Sequence, residues 1–248
     1  QLPLGVVGIA IGVVLLPEIA RQVRADRKDL AFHAQNRSFE FASVLTLPAA
    51  VALVVAAGPI VEVLFERGAF GPKDTMKTAA ALTAFGVGLP AFVYVKVFSP
   101  AFFARMDTKT PMWIGAATVA TNIALALALW PVLEHVAVAA ATSAAGWLNA
   151  GLLFAILVRR GEWRTDAELA KRLPRVLVSA LAMGAVLWPL TDLLAPWLGA
   201  ENPLAIKLAT LTLLCGTGFI AFFGIAQATG GVDLKRLAGQ MRRSRGTI

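Results

Sequence analysis

Residues 104–111 read ARMDTKTP. Three charged side chains, two threonines and a proline fall in eight positions, between residues 79–103 and 112–131, which are almost wholly apolar. A helix needs about 20 apolar residues to cross the hydrocarbon core of a bilayer. Both flanks meet that length, so the eight polar residues have room only for a turn between two crossings. Five more stretches qualify or nearly do: roughly 2–20, 41–64, 136–158, 176–198 and 206–229. None alternates with the period of two expected of a barrel strand. Backbone groups in lipid must be satisfied within the segment, which makes these stretches helices. The expected fold class is all-α: a polytopic transmembrane helix bundle of about seven spans. The chain starts QLPLGVVGIA, without Met or a basic leader region, and reads as part of a longer protein with its first span truncated.

Composition agrees. The chain is 58% hydrophobic and 15% charged, where a soluble domain carries about 25% charge. The net charge is +8, yet the basic residues are clipped between apolar runs instead of covering a solvated face. That pattern points away from nucleic acid and toward membrane lipids. Of the 23 Lys and Arg, 18 lie in the connections 21–37, 105–110 and 159–175 and in the tail 235–248. The alternating connections 66–77, 132–135 and 199–203 hold three, and only Lys96 and Lys207 lie elsewhere. Lys and Arg are retained on the cytosolic side. The basic connections and the C-terminus are therefore expected in the cytosol, with the first span entered from outside.

Several spans carry proline, at Pro48, Pro59, Pro90, Pro100, Pro189 and Pro196, and such helices kink. Small residues are dense at 115–121 (GAATVAT) and 137–146 (AVAAATSAAG). Small faces let helix backbones approach closely, which predicts that both of these spans pack inside the bundle. Residues 20–40 are polar with strong helix propensity and predict a cytosolic helix leading into the next span. In the tail, Val232, Leu234, Leu237 and Met241 fall near one helical face, as an interfacial helix or a solvated stop-transfer tail requires.

No GxxxxGK[ST], HExxH or CxxC motif occurs. His33 and His135 fall on opposite membrane sides in this topology, and the single cysteine, Cys215, sits in apolar sequence. Nothing supports covalent or metal catalysis, so the chain reads as a non-enzyme without a cofactor, and any transport must draw on a Na+ or H+ gradient or the membrane potential. Charges at bilayer depth are costly and mark function. Lys96 is the foremost, about 10 Å from the cytosolic end of its helix at 1.5 Å per residue, with snorkelling as the alternative. Glu18 and Glu62 lie near span ends and are further candidates. Asp192 and Lys207 read as interfacial. Asn122, Thr142 and their polar neighbours serve either interhelical hydrogen bonds or an ion or substrate site.

Three segments now suggest kinship: LPLGVVGIAIGVVLLPEIAR, LPAAVALVVAAGPIVEVLFERGAF and VKVFSPAFFARMDTKTP. Their order and spacing resemble the MurJ/MviN family of lipid II flippases, with Phe102 to Pro111 the most specific part. The likeness continues through 137–160 and weakens after residue 165. It implies the second lobe of a fourteen-helix, MATE-like fold, over 1–160. Residues 161–248 would then be two additional helices, which form a groove for a lipid tail, and a basic cytosolic tail. It implies alternating-access transport of undecaprenyl-pyrophosphate-linked peptidoglycan precursor, lipid II, to the outer leaflet of the bacterial cytoplasmic (inner) membrane, with the cell-wall synthesis machinery as a further partner. It places ARMDTKTP at the cytosolic gate, where Arg105, Asp107 and Lys109 are expected to form ion pairs. A sodium site of the family maps onto Asn122, Val138 and Thr142, though the acidic residue expected one turn after Asn122 is Ala126 here. Two other readings stand beside it: another exporter of the superfamily, for O-antigen or drugs, and a non-transporting scaffold of envelope synthesis.

Overall fold

A computed structural model describes residues 15–199 and 202–231. The described part of the first helix, α1, covers 15–24. It is followed by α2 (Lys28–Val55), α3 (Ala57–Phe65), α4 (Pro72–Phe103), α5 (Lys109–Leu133), α6 (Val136–Arg159), α7 (Ala167–Leu198) and α8 (Leu204–Ala228). Among the described residues there is no strand. Six helices, α2 and α4 to α8, are long and apolar enough to cross a membrane. Most of the expected first span, 2–20, and the tail at 232–248 lie outside the described residues.

Two boundaries differ from expectation. The polar run 20–40 does lead as helix into the next span, but only from Lys28 onward. It divides between the end of α1 and the opening turns of α2, because nothing between Lys28 and Leu47 breaks helical geometry. The span expected over 41–64 is broken at Ala56, with α3 starting one residue later. Pro59 supplies the reason: it has no N–H for the carbonyl four residues back, and its ring crowds that carbonyl.

Four helices end alike. In α1, α4, α6 and α8 the chain turns through a left-handed residue: Asp26 (φ 52°), Met106 (61°), Gly161 (67°) and Gly230 (69°). In α4 the Met106 N–H donates to the Phe103 carbonyl and the Asp107 N–H to Phe102, both at 3.0 Å. The other three ends repeat this pair of bonds. Such caps satisfy carbonyls that a helix C-terminus leaves free.

Helices α2, α4 and α6 form the centre, α5 lies against α6, and α7 and α8 lie on the far side of α2. Glycine sets the closest approaches. A Cβ on Gly88 of α4 would stand 2.4 Å from Ser143 Oγ of α6, and one on Gly146 2.5 Å from the Phe92 ring. One on Gly184 of α7 would stand 2.6 Å from Val51 of α2. The expectation that both small-residue spans pack inside holds for α6 and fails for α5, whose single buried residue is Ile114. Helix α6 turns its small face onto α4. Helix α5 rests mainly on α6 and touches α4 only slightly.

Two apolar clusters result. One joins α1, α2, α4 and α6 under Trp163, whose ring meets Phe39, Phe98 and Phe154 edge-on at 5.4–5.9 Å. The other joins α2, α7 and α8 around Met183, Leu187, Leu214 and Phe222. Helix α2 contributes to both.

Candidate functional site: a charged helix end and an apolar groove

Asp107 follows the left-handed Met106 and opens α5. Its carboxylate accepts the Thr110 N–H at 3.0 Å and the Thr110 hydroxyl at 2.7 Å, which satisfies the exposed first turn. Arg160, just past α6, donates to the same carboxylate at 2.6 Å and to Thr110 Oγ1 at 3.0 Å. The Arg160 and Thr110 hydrogen bonds hold the Asp107 carboxyl well below the usual carboxylate range and raise Arg160 in return. The Arg160 guanidinium also lies 5.8 Å from the centre of the Phe102 ring. Arg105 donates to the Ala101 carbonyl at 2.7 Å and stands 3.7 Å from Glu162. Burial draws Arg105 down and Glu162 opposes it; a guanidinium stays charged regardless. The three charges of ARMDTKTP therefore do not pair with one another. Arg105 and Asp107 reach residues 160–162, and Lys109 has no ion pair among the described residues.

A second network ties α2 to α7. Arg37 pairs with Glu40, with Asp166 at 2.8 Å and with Glu168 at 3.3 Å. Arg172 bridges Glu40 at 2.8 Å and Glu168 at 2.6 Å. Asp166 caps α7 by accepting the Leu169 N–H at 2.7 Å. Burial raises the Asp166 carboxyl, but the Leu169 N–H and Arg37 outweigh it and the net shift is downward. Asn36 donates to the Arg164 carbonyl at 2.8 Å. Arg175 reaches the Gly230 carbonyl at 3.5 Å.

These contacts bring the connections 21–37, 105–110 and 159–175 to one end of the bundle. That end also gathers the C-termini of α1, α4, α6 and α8, where helix dipoles favour cations. At the opposite end, His135 meets the Lys77 carbonyl at 3.2 Å and Thr75 donates to Glu66 at 2.5 Å. The charge sorting read from sequence is thus a sorting between two ends of one folded object.

The remaining predicted residues are scattered. Lys96 is exposed, on an α4 stripe with the exposed Phe85 and Phe103. Glu18 holds Gln22 at 2.8 Å and Arg21 within α1. Glu62 is half-buried on α3 and feels the charges of Glu66 and Lys207. Asn122, Val138 and Thr142 do come together: Asn122 Nδ2 donates to Thr142 Oγ1 at 3.3 Å, and that hydroxyl donates to the Val138 carbonyl at 2.7 Å. This is a closed chain of neutral hydrogen bonds with Ala126 where a carboxylate is expected. It carries no charge to balance a cation and does not by itself fit sodium.

An element the sequence reading left without residues is the groove between the α2–α3 break and the α7–α8 pair. It encloses about 260 Å³ and is apolar throughout, with Pro48, Ala56 and Ile60 on one wall and Leu187, Leu214 and Phe222 on the other. Ala56, where the helix breaks, lies in its lining.

Comparison with known proteins agrees with this architecture. The family model "Lipid II flippase MurJ" matches residues 1–207. The chain is 47% identical over 243 residues to a "Probable lipid II flippase MurJ" of Rhizobium meliloti (strain 1021), covering 98% of this chain and 45% of that protein. A protein of the same description from Rhizobium tropici is 45% identical, over 99% of this chain and 46% of its own length. One from Vibrio cholerae is 34% identical, over 96% and 45%. The chain thus spans about half the length of the curated relatives it matches. A solved structure of "Lipid II flippase MurJ, inward closed conformation" shares the fold, with a TM-score of 0.71 at 24% identity over 92% of this chain and 44% of that one. By sequence and fold alike, this chain belongs to the lipid II flippase MurJ family.

Proposed function

We propose that this chain is the C-terminal half of a lipid II flippase of the bacterial inner membrane. The whole protein would move undecaprenyl-pyrophosphate-linked peptidoglycan precursor from the inner to the outer leaflet by alternating access. The observation that carries this is the 47% identity to a probable lipid II flippase along 98% of the chain. The apolar groove suits an isoprenoid tail, and residues 161–248, added to a MATE-like second lobe at 1–160, would supply one of its two walls.

In this reading the charged end is cytosolic, and so is the C-terminus. Arg105 and Asp107, with Glu162 and Arg160, bind the ends of α4, α5 and α6 into one unit that rocks as a body. Lys96 would face the substrate cavity from the side of α4 that this chain leaves uncovered. Lys109, Glu18 and Glu62 stand as further gate or cavity groups. The driving force would be an ion gradient or the membrane potential, and no step is assigned to sodium at Asn122, Val138 and Thr142. The cell-wall synthesis machinery is the expected consumer of the flipped precursor.

Depletion of the full-length protein tests the reading. Lipid II should accumulate in the inner leaflet and lose its reactivity toward a membrane-impermeant label. Undiminished outer-leaflet labelling after depletion would sink it.

A further inference from the structure

Helix α8 buries one stripe: Lys207, Thr210, Leu214, Gly218, Phe222 and Ala226. Their spacing of three and four is one face of a helix. The outermost member is a cation. Lys207 is 6% exposed, and among the described residues no carboxylate lies within 4.0 Å of it. Lysine is almost never that buried unless it is paired. Glu62 on α3 lies within electrostatic reach of Lys207 without touching it. Glu66, one turn further, is occupied by the Thr75 hydroxyl.

Lower on the same stripe, Leu214, Gly218 and Phe222 line the apolar groove, as does Ile60 on the facing α3. Leu214 lies seven positions after Lys207, about 10 Å along the helix axis. The arrangement is an apolar channel with an ammonium above it that no described carboxylate pairs, toward the end away from the basic connections. That shape and charge fit an amphiphile with an apolar chain and an anionic group at one end.

We propose that Lys207 is the anion anchor of a lipid site: its ammonium binds the phosphate of a lipid whose chain occupies the groove, and the nearby charge of Glu62 competes with that phosphate for it. An ammonium offers three donors on a flexible stem, which suits a phosphate arriving in variable orientation. The anchor rests on the flippase reading only in taking the groove's occupant to be a lipid. It adds a phosphate station on the outer side of the molecule.

The test uses the full-length protein in lipid nanodiscs, titrated with undecaprenyl phosphate, undecaprenol and phosphatidylglycerol. Lys207→Gln should weaken undecaprenyl phosphate about tenfold, the scale of one charge-assisted hydrogen bond, and leave undecaprenol unchanged. Lys207→Arg should restore most of the loss. Glu62→Gln should tighten phosphate binding by removing the competitor. Dependence on Lys207 for undecaprenyl phosphate alone supports a polyprenyl site, and dependence for phosphatidylglycerol as well supports a general lipid-phosphate site. Unchanged phosphate affinity in a folded Lys207→Gln protein overturns the proposal. Should that variant not fold, unchanged affinity in Glu62→Gln overturns it instead. A protein that keeps Lys207-dependent binding but moves no lipid II refutes the flippase reading and leaves the anchor standing.

Discussion

Asp107 shows how one side chain serves two structural ends. It caps α5 through Thr110, and it receives Arg160 from beyond α6. Its side chain is 24% exposed, so the bond to Arg160 is shielded without being sealed. A carboxyl depressed by its native partners stabilises the fold above the ordinary aspartate range near pH 4, and that contribution is lost only as pH falls toward the depressed native value. The Asp107 contribution should therefore be intact at neutral pH, begin to fade below about pH 4 and disappear only in stronger acid. Asp107→Asn should lower the thermal midpoint at pH 7 and flatten its decline on acidification, read by thermal unfolding in detergent between pH 3 and 7. An Asp107→Ala protein with full flipping activity would count against any role in gating. Met106 illustrates a different economy. A non-glycine residue in the left-handed region costs about 1–2 kcal/mol, and glycine is the usual choice there. Met106→Gly should stabilise the protein by about 0.5 kcal/mol, after the entropy that glycine loses on folding is set against that relief.

At the scale of elements, close glycine contacts and ion pairs divide the labour. The α4–α6 crossing depends on Gly88 meeting Ser143, whose hydroxyl donates to the Ala84 carbonyl at 2.6 Å, and on Trp147 donating to the Val87 carbonyl at 3.0 Å. Within lipid no hydrophobic effect drives helices together, so contact distance matters more. Gly88→Leu should cost about 3 kcal/mol, the upper range for overpacking, and reduce the yield of folded protein on size-exclusion chromatography. Gly115, with nothing within 4 Å of its Cβ position, should accept alanine without loss. The α2–α7 link is held instead by Glu40, 14% exposed and shared between Arg37 and Arg172. Glu40→Ala should cost about 1–2 kcal/mol, the scale of lost hydrogen bonds to a charged group, because both guanidinium groups lose the carboxylate they share while Arg37 keeps Asp166 and Glu168 and Arg172 keeps Glu168.

The molecule as a whole is a bundle with one charged end and one nearly neutral end. Single cysteines at 107, 164 and 229 should label from one side of the membrane and those at 134 and 202 from the other, in a Cys215→Ser background. Opposite labelling of 107 and 164 would dismantle the topology, since Asp107 is bonded to Arg160. Helix α5, with one buried residue, and the exposed Lys96 stripe mark surfaces that this chain leaves uncovered. The chain spans under half the length of the relatives it matches.

The crossings, and the sorting of positive charge between their two ends, were legible in the residues alone. Hydropathy and charge are local properties, and a bilayer acts on each segment as it meets it. The ARMDTKTP signature, read as a turn, is a turn. What α5 packs against, where the α2 span breaks, and which acids the arginines meet were decided by the tertiary structure. Arg37 and Asp166 lie 129 positions apart, and only the stacking of α7 on α2 makes them neighbours. The same stacking encloses the groove and buries Lys207, which by sequence looked like one more interfacial lysine. Burial depends on what the facing helices supply, and that is written in no single segment.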